Sequence, residues 1–70
     1  MRFGKIRVDL RSREHAPAHV HVIGPEGALV VFLDGGLTGP TRAVRASSEA
    51  LAWVEANRAQ LLARWKEVNG

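Results

Sequence analysis

Between residues 5 and 11 the chain alternates with a period of two: Ile6, Val8 and Leu10 are apolar, and Arg7, Asp9 and Arg11 are charged. Successive strand residues point to opposite faces, so this stretch predicts a strand with one face buried and one face wet. Such a strand has to pair with others, and the sheet has to hide its apolar face under another layer. The pattern therefore commits a chain of 70 residues to a sheet with something packed across it. There is no cysteine, so neither disulfides nor thiolate zinc ligands can substitute for that packing.

The remaining elements follow from local signals. Residues 12–18 read as a loop, in which Pro17 biases Ala16 toward an extended conformation. A second strand is expected over 19–23, then the turn Gly24-Pro25-Glu26-Gly27, then a third strand over 28–34. Leu29, Val30, Val31, Phe32 and Leu33 are apolar on both faces, which suits a central or covered strand. Gly35-Gly36 ends it and Gly39-Pro40 breaks the connection that follows. Residues 41–46 are read as a short edge strand built on Ala43 and Val44. Ser47 or Ser48 then offers a helix N-cap, with Glu49 at the positive end of the dipole. One helix is expected over 48–68, stopped by Asn69-Gly70. Its apolar stripe is Ala50, Leu51, Val54, Leu61, Leu62, Trp65 and Val68. Arg58 falls inside that stripe, with Glu14, Asp9 and Asp34 as candidate partners and snorkelling to water as the plainer outcome. The expected fold is a single α+β domain over 1–70: a small antiparallel sheet of three to four strands packed against one long C-terminal helix.

Ten Lys and Arg stand against seven Asp and Glu, a formal charge of +3, and eight of the ten cations are arginine. Arginine favours planar contact with phosphate or carboxylate, which points to an anionic partner. No signal peptide and no membrane span is recognisable, so the expectation is a cytoplasmic protein with no membrane contact.

All three histidines lie in Glu14-His15-Ala16-Pro17-Ala18-His19-Val20-His21. His19 and His21, two apart on a strand, share a face and stand roughly 6–7 Å apart at the backbone. No other side chains here so readily exchange a proton or ligate a metal near neutral pH.

Glu14 to Val22, together with the later run Asn57-Arg58-Ala59-Gln60-Leu61-Leu62-Ala63-Arg64-Trp65, resembles a small bacterial family, domain-of-unknown-function family 4160. Its members show an acidic residue, then His-x-Pro-Pro-His-hydrophobic-His-hydrophobic, and end in a similar helix. Ala18 stands where the family usually has its second proline. The resemblance implies a gene arrangement like that of a toxin–antitoxin module, with a cognate small antitoxin-like protein as partner.

Three readings of the cluster follow from the residues. The first is metal-independent RNA binding or cleavage: His19 and His21 move protons, Asp9 orients an imidazole, and Arg7, Arg11 and His15 bind substrate. With the implied gene arrangement, this makes the chain the toxin-like member of such a module and needs no cofactor. The second is a non-enzymatic protein-interaction domain with structural histidines. The third is a zinc site in which His15 or Glu14 joins His19 and His21.

Overall fold

The structure, a computed structural model, describes residues 1–69. Five strands follow the chain: β1 (Arg2–Phe3), β2 (Ile6–Asp9), β3 (His19–Gly24), β4 (Gly27–Phe32) and β5 (Leu37–Thr38). They form one antiparallel meander in the order β1-β2-β3-β4-β5. Three helices follow: α1 (Thr41–Ala46), α2 (Ser48–Ala56) and α3 (Arg58–Asn69). The class is α+β, with five strands where the sequence suggests three to four.

Alternation places the core. Val8 pairs with Val22, which pairs in turn with Leu29 on β4; Val20 pairs with Val31. All five side chains are buried, Val20, Val22 and Leu29 completely. Ala43 of α1 and Ala50 and Val54 of α2 close over them. The other face of β2 and β3 carries Arg7, Asp9, His19 and His21. There the register sets Asp9 opposite His21 and His19 opposite Phe32.

Residues 41–46 form a helix, not the expected edge strand. Pro40 precedes the first turn with φ −64, and its carbonyl accepts the Val44 N–H. Ala43, Ser47, Ala50 and Val54 are all buried, and their spacing of four, three and four is helical. The edge strand is instead the short β5, opposite Val30 and Val31. Between it and α1 the backbone of Gly39 passes directly over Leu29. A Cβ there would lie 2.5 Å from Leu29 Cδ2 and 2.8 Å from the Ala28 carbonyl oxygen, and φ is +148.

The long C-terminal helix is divided. Ser47 occupies the N-cap of α2, one of the two positions expected, but it is buried and makes no side-chain cap hydrogen bond; its carbonyl accepts the Leu51 N–H. Asn57 interrupts the path again. Its side-chain Nδ2 donates to the Trp53 carbonyl at 2.8 Å, and its own N–H goes to the same oxygen. Asparagine readily closes a helix end in this way, because its amide competes for the terminal carbonyls. Arg58 pairs with Glu55, one turn back, and with none of the three partners expected for it.

Candidate functional site

β3 holds His19 and His21 rigidly, because it lies between β2 and β4 and its intervening residues Val20 and Val22 are buried. The rings meet edge to face, centroids 5.1 Å apart. His19 also packs against Phe32 at 6.1 Å and against Trp65 of α3 at 6.2 Å. Its Nδ1 lies 2.7 Å from the Pro17 carbonyl oxygen. A carbonyl only accepts, so Nδ1 carries a proton and Nε2 is the ring atom turned away from that bond.

That Nε2 faces a carboxylate. Glu14 Oε1 lies 3.7 Å from His19 Nε2 and 2.7 Å from His21 Nε2. The hydrogen bond from His21 is the main reason the Glu14 carboxyl titrates below its ordinary value. Partial burial opposes the shift, and the charges of His21, His19 and Arg11 add to it. Candidate ligand atoms of Glu14, His19 and His21 all lie within 4.8 Å of one another. The three side chains are mostly enclosed, with exposures of 26%, 12% and 18%.

Glu14 reaches this position from the loop between β2 and β3. The residue before it, Arg13, takes a left-handed conformation with φ 61, uncommon for a residue with a side chain. The Glu14 N–H donates to Asn69 Oδ1 at 2.6 Å, and Asn69 Nδ2 donates to the Arg11 carbonyl at 2.8 Å. Trp65 is buried, and its Nε1 has no hydrogen-bond partner among the described residues.

The other residues singled out in the sequence fall outside the cluster. Asp9 is on the histidine face, but it bonds Arg7 at 3.1 Å and lies 3.9 Å from Arg11; the carboxylate that orients an imidazole is Glu14. Arg7 and Arg11 remain about half exposed. His15 is exposed and is not part of the converging set, where Glu14 takes the place of third member. Asn69 was legible only as a helix stop, since a side-chain contact across 55 positions leaves no local signal. A cavity of about 150 Å³ bordered by Phe32, Leu51, Glu55 and Arg58 includes no histidine.

A family model described as "Domain of unknown function (DUF4160)" matches residues 6–66. No curated protein and no solved structure matches the chain. No helix among the described residues is long and apolar enough to cross a membrane.

Proposed function

The chain belongs to the DUF4160 family, whose description names no activity, and from its site we propose that it is a metal-binding domain that holds a divalent transition ion with Glu14, His19 and His21. The observation that carries this reading is the convergence of two imidazoles on a single carboxylate oxygen, Glu14 Oε1. Zinc bonds nitrogen and oxygen ligands at about 2.0–2.1 Å, which puts ligand atoms of a tetrahedral site roughly 3.3–3.4 Å apart. The observed 3.7 and 2.7 Å from Glu14 Oε1 lie on either side of that spacing, and all three ligand atoms lie within 4.8 Å of one another, so a tetrahedral site would need side-chain adjustment but no movement of the strand. The Pro17 carbonyl fixes the ring of His19 with Nε2 inward, the outer support usual for a ligating histidine. To ligate, His21 Nε2 would have to give up the proton it now donates to Glu14, lost to solvent from an imidazolium or moved to Nδ1 in the neutral ring. Three protein ligands leave a fourth position for water or a substrate atom, the arrangement of a hydrolytic centre.

Zinc titration of tag-free protein by calorimetry, with elemental analysis of the product, tests this. The expected result is one ion per chain, lost in His19→Ala, His21→Ala and Glu14→Gln. Absence of binding, or binding indifferent to all three substitutions, overturns it and leaves the cluster as an internal polar network.

A second reading is RNA binding or cleavage by the same face, as the toxin-like member of a two-protein module. It draws on Arg7 and Arg11, half exposed on either side of Asp9, itself opposite His21. There the imidazoles act as base and acid and the guanidinium groups hold the phosphate. The enclosure of both rings favours the ion instead. RNA cleavage that survives chelation and disappears with His19→Ala and His21→Ala would reverse that preference.

A further inference from the structure

We infer that Asn69 is a positioning residue for Glu14, so that docking of the last turn of α3 sets the affinity of the metal site; this rests on the metal-binding reading above. Two of the three ligands need no help, because His19 and His21 stand on a strand paired on both sides. Glu14 stands on a loop. Holding a loop carboxylate against two imidazoles costs the conformational freedom of the residues around it, unless other contacts have already ordered them.

The side-chain amide of Asn69 does that ordering. Its Oδ1 accepts the Glu14 N–H and its Nδ2 donates to the Arg11 carbonyl. One planar group thus supplies both the acceptor and the donor that a neighbouring strand would otherwise give to this loop. The clamp spans the left-handed turn at Arg13, the point where the chain bends back to bring Glu14 over β3.

A second contact comes from the same helix. Trp65 precedes Asn69 by four residues, so the two side chains share one face of α3. Trp65 packs against the His19 ring, while Asn69 holds the Glu14 backbone. The final turn of α3 therefore touches two of the three ligands, and neither contact uses the atoms that would bind the ion. By linkage, an ion that needs Glu14 in place also strengthens the docking of this turn.

The test compares zinc affinity in the wild type, Asn69→Ala and Asn57→Ala, each checked for native fold by circular dichroism. Loss of an outer support lowers metal affinity about tenfold or more, and that is the change expected for Asn69→Ala. Asn57→Ala removes a cap hydrogen bond at the other end of α3, where it touches no ligand, and is expected to keep wild-type affinity. A drop common to both variants would mark Asn69 as merely structural and overturn the inference. Equal zinc affinity in the wild type and Asn69→Ala would also overturn it while leaving the metal site standing. A wild type that binds no zinc overturns both. A second measurement needs no variant: zinc is expected to slow hydrogen exchange at the Glu14 amide, whose acceptor is Asn69. Unchanged exchange in the zinc-loaded protein counts against the inference even if Asn69→Ala fails to fold.

Discussion

His21 Nε2 donates to Glu14 Oε1 across 2.7 Å, joining a central strand to the loop that precedes it. The same oxygen lies 3.7 Å from His19 Nε2. One carboxylate thus serves two imidazoles, and its charge is what both approach.

This pairing gives acid stability a defined sign. The folded protein holds the Glu14 carboxyl below its ordinary value of 4.5, chiefly through the His21 hydrogen bond. A group with a depressed folded pKa contributes its stability in full above the unfolded value and loses it as pH falls through the folded one. Glu14→Gln keeps an acceptor for His21 but removes the titration. Urea unfolding of metal-free protein should therefore show the wild type ahead of Glu14→Gln above the ordinary glutamate range. The gap should shrink as the solution is acidified below it. A gap that stays constant to low pH would contradict the assignment.

Gly39 is expected to tolerate no side chain. At φ +148, with the Ala28 carbonyl and Leu29 beside the missing Cβ, alanine would meet both backbone strain and an atom that cannot move aside. Gly39→Ala should cost about 1–3 kcal/mol. Leu29→Ala, which empties a fully buried position, should cost about 2–5 kcal/mol. Small domains have little stability in reserve, so chemical denaturation should find Leu29→Ala close to unfolding. Gly39→Ala as stable as the wild type would mean that the crossing from β5 to α1 is looser than its close approach to Leu29 implies.

These residues also show what the sequence could and could not reveal. The sheet face at Val8, Val20 and Val22 was legible because alternation is a local pattern that burial enforces. Glu14 is legible as one of two residues that could join the histidines; it is the one that converges with them, whereas His15 is exposed. From sequence alone the stretch 41–46 reads as a strand, because Ala43 and Val44 are adjacent. Only the longer series through Ser47, Ala50 and Val54 carries the helical period, and it includes a polar serine. The interruption at Asn57 and the clamp by Asn69 depend on side-chain amides whose partners are backbone atoms. Composition and periodicity do not encode which carbonyl an asparagine will find.

Asn57→Ala tests the interruption itself. The substitution removes the Nδ2 bond to the Trp53 carbonyl and replaces a poor helix former with a good one. The lost hydrogen bond costs about 0.5–1.5 kcal/mol, partly offset by propensity. The expected outcome is a small net loss in unfolding free energy, with helical circular dichroism unchanged or slightly raised. A large loss would mean that Asn57 fixes the angle between α2 and α3 and does not merely cap the first of them.

The two tryptophans allow the metal site to be read by fluorescence. Trp65 lies 6.2 Å from the His19 ring, whereas Trp53 packs on Phe3 at 6.0 Å. Removing Trp53 as Trp53→Phe leaves Trp65 as the sole indole, and its emission reports on the site alone. Copper(II) stands above zinc in affinity for imidazole and carboxylate ligands, and its open d shell quenches a neighbouring indole. One equivalent should therefore quench most of the Trp65 emission, with saturation at one ion per chain. Adding His19→Ala and His21→Ala to the same background should abolish the saturable phase and leave only weak collisional quenching. If the quenching curve is the same with and without the two histidines, copper is binding elsewhere and the convergence on Glu14 is not a metal site.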